Sequence, residues 1–147
     1  IQRRLTHTAD SKYPGCKGVV RSSPDGTKIA FMAKDKNGIQ QIFTVSPLGG
    51  EPVQITNHNS DVQSAVRWSP DNKSMIYLWD NSIVMCEVSD RPFEERFKRL
   101  TAKTTEAPYN LVWSDDGATI AFNRSVSAKG ESDPKIQIFI IRLNSKK

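Results

Sequence analysis

Two histidines, His7 and His58, are the residues of this chain whose type and spacing best suit chemistry. They fall at nearly equivalent places of a sequence repeat of roughly 45 residues, with Lys103 near the third such place and Asp61 the nearest acid by sequence. Two or more imidazoles that converge with a carboxylate can hold a divalent metal. The alternative is that each is an exposed loop residue, and with only 2 histidines in the chain the set stays incomplete. Other chemistries have less to stand on. No Gly-x-Ser-x-Gly elbow for a serine nucleophile occurs. The carboxylate pairs Asp115-Asp116 and Glu94-Glu95 are explained by a turn and by solvation. Cys16 and Cys86 have no metal-type spacing, and Cys86 falls in an apolar strand as a small buried hydrophobe. Whether the two cysteines are ever oxidised stays open. No catalytic residue, metal ligand or cofactor is assigned.

The elements that would position these residues are repeated three times. Arg21-Ser22-Ser23-Pro24-Asp25-Gly26 recurs as Arg67-Trp68-Ser69-Pro70-Asp71-Asn72 and as Val112-Trp113-Ser114-Asp115-Asp116-Gly117. Pro24 and Pro70 preset φ for the second position of a type I turn, the aspartates bond back to nearby amides, and Gly26, Asn72 and Gly117 tolerate positive φ. An apolar strand follows each turn: Ile29-Ala30-Phe31, Met75-Ile76-Tyr77-Leu78 and Ile120-Ala121-Phe122. Trp68 and Trp113 read as core plugs. Another apolar run follows in each unit, at 41–45, 82–88 and 136–141. Arg4-Leu5-Thr6, Gln54-Ile55-Thr56 and Arg99-Leu100-Thr101 form a further matched set. The period and four strands per unit predict an all-β chain of antiparallel four-stranded β-propeller blades, about three of them. The blades are predicted at 19–56, 62–101 and 108–144, with 1–6 as the outer strand of a preceding blade. Pro92 and the glutamates after it suit a single helical turn, or a loop, between Arg91 and Phe97. Asp80-Asn81 makes the middle turn of the second unit, and 123–135 a long polar hairpin.

Closed propellers use about 4–8 blades, so three predict part of a larger ring, completed by further blades of a parent chain or by a second copy. The composition, 37% hydrophobic and 25% charged over 147 residues, is that of one soluble domain. No apolar run approaches the roughly 20 residues of a membrane span. The net charge of +5 is scattered rather than striped, which argues against a nucleic-acid surface. Lys146-Lys147 reads as a solvated tail.

Leu-Thr followed by Trp-Ser-Pro-Asp-Gly, an Ile-Ala-Phe strand, Ile42-Phe43-Thr44-Val45 and Gly49-Gly50-Glu51-Pro52-Val53-Gln54-Ile55-Thr56 resembles the TolB-like, or WD40-like (PD40), β-propeller repeat. Arg3-Arg4-Leu5-Thr6 through Tyr13-Pro14-Gly15, with Asp61-Val62-Gln63-Ser64-Ala65, is similar to the C-terminal part of an uncharacterised bacterial TolB-like family. The resemblance implies a propeller from a bacterium, in periplasm or cytoplasm, that binds a protein or a polysaccharide without catalysis. It implies two alternatives as well: a metal-dependent lyase resembling oligogalacturonate lyase, or the propeller domain of a serine peptidase.

Strand alternation puts the links after Leu-Thr and the middle hairpins on one rim, and the Ser-Pro-Asp-Gly turns on the other. By analogy with other propellers the first rim holds the ligand. It would carry His7, Tyr13, His58, Asp61, Lys103, Glu106 and Tyr109.

Overall fold

A computed structural model describes residues 1–143. The chain is almost entirely β. The first sheet is a meander of β1 (Lys17–Ser22), β2 (Ile29–Lys34), β3 (Gln40–Val45) and β4 (Val53–Gln54). The second is β5 (Arg67–Trp68), β6 (Ser74–Trp79), β7 (Ser82–Glu87) and β8 (Phe97–Arg99). The third, among the described residues, has β9 (Tyr109–Trp113), β10 (Thr119–Val126) and β11 (Lys135–Arg142). All neighbouring strands pair antiparallel.

The repeated turn forms the same way three times. The Ser23, Ser69 and Ser114 hydroxyls donate to Asp25, Asp71 and Asp116 at 2.6 Å each. The same oxygens accept the amides of Lys28, Ser74 and Thr119 at 2.9–3.0 Å. These serine bonds hold the three carboxyls below their usual pKa, helped by backbone amides. Asn72 supplies in the second turn the positive φ, 64°, that Gly26 and Gly117 supply in the others at 72°. Ser69→Ala strips a buried hydroxyl from two of these bonds. It is expected to cost about 1–2 kcal/mol; an unchanged urea midpoint would show that the turn is held by its backbone alone.

The sheets stack through the alternation of β6, which is buried on both faces. Met75 and Tyr77 join Met32, Ile42, Ile55 and Trp68 between the first and second sheets. Ile76 and Leu78 face the other way and join Leu111, Ile120 and Phe122 between the second and third. Polar bridges cross the same seams: Trp68 Nε1 donates to the Arg21 carbonyl at 3.0 Å, and Arg96 Nη2 to the Ile55 carbonyl at 3.0 Å. Trp68 is thus the core plug expected of it, while Trp113 is half-buried and ties its own turn at the Gly117 carbonyl.

Three expectations are corrected. Residues 1–6 form no strand; a strand needs a ladder partner, and Leu5 instead packs its side chain against Phe31, Ala33 and Val45 on the face of the first sheet. The third sheet has three strands among the described residues, in the order β11-β10-β9. The long hairpin is shorter than 123–135: β10 and β11 pair as far as Val126 opposite Lys135, since backbone bonds do not need apolar side chains, and 127–134 form its turn. The single helical turn is present as α1 (Phe93–Arg96) after Pro92. Asn144, the last residue of the expected third blade, and Lys146-Lys147 lie outside the described residues. Among the described residues no helix is long and apolar enough to cross a membrane.

Candidate functional site

The middle hairpins and the links between sheets share a rim. The two-residue turn Asp80-Asn81 has positive φ at both positions, 50° and 52°, the geometry that matches strand twist in a tight hairpin. The link 101–108 is tied to it, since Asn81 Nδ2 donates to the carbonyls of Thr104 and Thr105 at 3.1 and 3.0 Å. The earlier link is tied to the first sheet: Asp61 Oδ1 accepts the Gln40 amide at 2.8 Å, and Gln41 Nε2 reaches the His58 carbonyl at 2.9 Å.

This arrangement brings Asp61 and Lys103 together. Both line an open cleft of about 540 Å³ with Ser60, Gln63, Asp80 and Asn81. Asp80 is the electrostatic centre of the cleft, accepting Lys103 Nζ at 2.6 Å and Arg99 Nη2 at 2.7 Å. Those two cations, Lys103 foremost, hold its carboxyl below the ordinary range. The Arg99 guanidinium also lies 4.4 Å from the centroid of the Trp79 ring.

The remaining expected site residues separate. His58 is 4% exposed and belongs to the core. Its ring stacks on Trp79 at 4.1 Å and meets Phe93 and Phe97 edge-on at 4.8 and 5.1 Å. Its Nε2 is engaged by the Tyr77 hydroxyl at 2.8 Å. Burial first, and the charge of Arg99 second, hold the imidazole pKa down to about 4. The placement of His58 on the rim surface is therefore corrected: a neutral imidazole in an aromatic pocket is better satisfied there than in water, provided its ring nitrogen has a partner. His7 is exposed. Tyr13 lies against the hairpin of the first sheet, so close to Gly38 that a side chain there would meet its ring at 2.9 Å. Lys12 and Lys34 sit over the same ring at 5.0 and 5.6 Å. Among the described residues no group of three or more His, Cys, Asp or Glu is placed to hold a metal ion.

Tyr109 borders a second cavity of about 250 Å³, next to the rim cleft and sharing Gln63 with it. It shares the wall of that cavity with Arg21, Arg67 and Asn110, whose φ of 54° belongs to an irregularity in the β9–β10 ladder. The two arginines had a visible signal in the sequence: they hold the same position in successive repeats, where the third has Val112. Asp80 had none, since a turn residue is needed there on backbone grounds alone.

Cys16 is exposed and Cys86 buried, both as free thiols, and burial pushes the Cys86 thiol up to about 11.

No protein-family model matches the chain. It is 38% identical over 128 residues to the uncharacterised protein YidR of Escherichia coli K12, an alignment over 83% of this chain and 30% of YidR. Among solved structures, a TolB-type protein from Agrobacterium tumefaciens superposes with a TM-score of 0.65 at 26% identity, over 90% of this chain and 44% of that one. TolB from Acinetobacter baumannii superposes with a TM-score of 0.63 at 27% identity, over 84% of this chain and 30% of that one. The chain thus spans less than half the length of each of these proteins. Stacked antiparallel meanders, a turn built identically three times, and agreement in sequence and shape give this chain a TolB-like β-propeller fold.

Proposed function

We propose that the chain is a non-catalytic binding wall of a larger propeller, and that its hairpin rim meets a protein or polysaccharide partner. The carrying observation is the Asp61–Lys103 cleft: it is open, polar and of mixed charge, and tightly bonded turns support it from below. Hydroxyl, amide, carboxylate and ammonium groups in one cleft suit directional contacts with a polar surface. Lys103 is 64% exposed at its side chain, so a partner can compete with Asp80 for its ammonium. His7 and Tyr13 extend the same reading toward the first sheet, and Tyr109 toward the neighbouring cavity. Support for a PD40-type repeat comes from the three Ser-x-Asp turns. A metal-dependent lyase reading loses the histidine it needs, because the His58 ring is packed among aromatic rings and its Nε2 is engaged by Tyr77.

The test is site-specific photocrosslinking in the native protein. A benzophenone side chain at position 103 reports the hairpin rim, and one at position 73 reports the opposite rim, where Lys73 lies in the repeated turn. A discrete adduct is expected from position 103 and not from position 73. Sensitivity of that adduct to protease or to glycosidase separates protein from polysaccharide. An adduct from position 73 alone, or none from 103, would overturn the rim assignment.

A further inference from the structure

Arg21 on β1 and Arg67 on β5 stand on the first strands of successive sheets, the strands a propeller turns toward its axis. Both line two cavities, of about 250 and 380 Å³. Neither cavity has an aspartate or glutamate in its wall, and among the described residues neither guanidinium makes a salt bridge. Arg67 Nε donates to the Leu111 carbonyl at 2.8 Å, which pins the group across the seam between sheets. Among the described residues Arg21 Nε is buried without a partner, and its Nη1 reaches only the Val20 carbonyl, at 3.4 Å.

Two neighbouring cations, partly removed from water and without a counter-charge, are unfavourable as they stand. Burial, and then the charge of Arg21, lower the pKa of Arg67. An unpaired buried donor beside a like charge is seldom kept for stability; each specific one calls for an explanation. A bound oxyanion would satisfy both features at once, because the planar guanidinium fork matches a carboxylate or a phosphate group. Tyr109 and Asn110 place a phenol and an amide at the border of the same cavity.

We propose that Arg21 and Arg67 form an oxyanion site on the inner strands, which takes the carboxylate or phosphate group of a small ligand. The site adjoins the rim cleft, sharing Gln63 with it, and stands whether or not a partner binds there.

The experiment is thermal unfolding and calorimetric titration of the native protein with inorganic phosphate and with citrate, each against sodium chloride at equal ionic strength. The wild-type midpoint is expected to rise with one probe or both, beyond chloride. Phosphate alone marks a phosphate ligand, and citrate alone a carboxylate. Without a probe, Arg21→Met is expected to unfold at a higher temperature than wild type, since it removes both a like charge and an unpaired donor. With the probe, its affinity is expected to fall about tenfold or more, the weight of one charge-assisted contact. Arg21→Lys keeps the charge without the fork, and serves if the methionine variant does not fold; a several-fold weaker affinity is expected. No midpoint rise with either probe beyond chloride, or unchanged affinity in the Arg21 variants, would overturn the site.

Discussion

Gln41→Leu is expected to lower the unfolding free energy of the native protein by about 3 kcal/mol, the sum of several lost buried hydrogen bonds at roughly 1 kcal/mol each. Gln41 is fully buried at the root of the hairpin rim. Its Nε2 donates to Asp35 Oδ2 at 3.2 Å and to the His58 carbonyl at 2.9 Å. Its Oε1 accepts the Thr56 hydroxyl at 2.7 Å and the His58 amide at 3.2 Å. Leucine fills nearly the same volume, so little of the loss is cavity. What remains is a buried carbonyl and a buried amide of one residue left without partners, and unpaired buried groups are costlier than absent ones. The Thr56 hydroxyl keeps its bond from the Ile42 amide at 2.9 Å, which limits the damage. Urea unfolding measures the total. Hydrogen exchange shows where it falls, with the His58 amide expected to lose protection ahead of the β6 core. A loss below about 1 kcal/mol, with His58 still protected, would mean that the link 57–61 holds itself.

That hub shows why the fold was legible from the sequence and the site only partly so. The turns were readable because their chemistry is local: Ser23, Asp25 and Gly26 bond within six residues, and the same atoms recur in both later copies. The threonines of the Ile-Thr and Leu-Thr repeat are almost as clear in hindsight. Thr56 and Thr101 each accept a strand amide, from Ile42 and Ile83, at 2.9 Å, replacing a ladder bond by a side chain. Gln41 and His58 lie outside that pattern. Gln41 reads as one polar residue of a strand, yet it bonds 15 and 17 residues away. His58 sits in a polar stretch, Asn57 to Asp61, and its burial is decided by Trp79 and by Phe93 and Phe97 of the next unit. A histidine in a loop looks the same in sequence whether it faces water or an aromatic pocket. Arg21 and Arg67 lie between these cases: the repeat aligned them, and only the packed sheets show that they share cavities without a carboxylate.

His58 makes the second large effect, and it appears as a pH dependence. Its pKa is held to about 4 in the folded protein against 6.5 for the free side chain. The folded state therefore refuses a proton that the unfolded state accepts. Above pH 6.5 both states are neutral and the stabilisation is complete. As the pH falls from 6.5 toward 4 the unfolded chain gains the proton first and stability is lost; below about 4 this group adds no further slope. The shift corresponds to about 3 kcal/mol across that window. The carboxyls of Asp25, Asp71, Asp80 and Asp116 are lowered from 3.8, so their contributions are lost below that value and fall outside most of the histidine window. Urea midpoints at a series of pH values between 7 and 4 measure the slope. The control is His58→Phe combined with Tyr77→Phe, which keeps a ring stacked on Trp79 and leaves no orphaned hydroxyl. The double variant is expected to hold its stability nearly level through the window. A wild-type slope that survives in it would place the titrating group elsewhere. A rim histidine in water has no reason to couple its proton to folding, so the slope also decides whether this imidazole belongs to the core or is free to meet a metal or a partner.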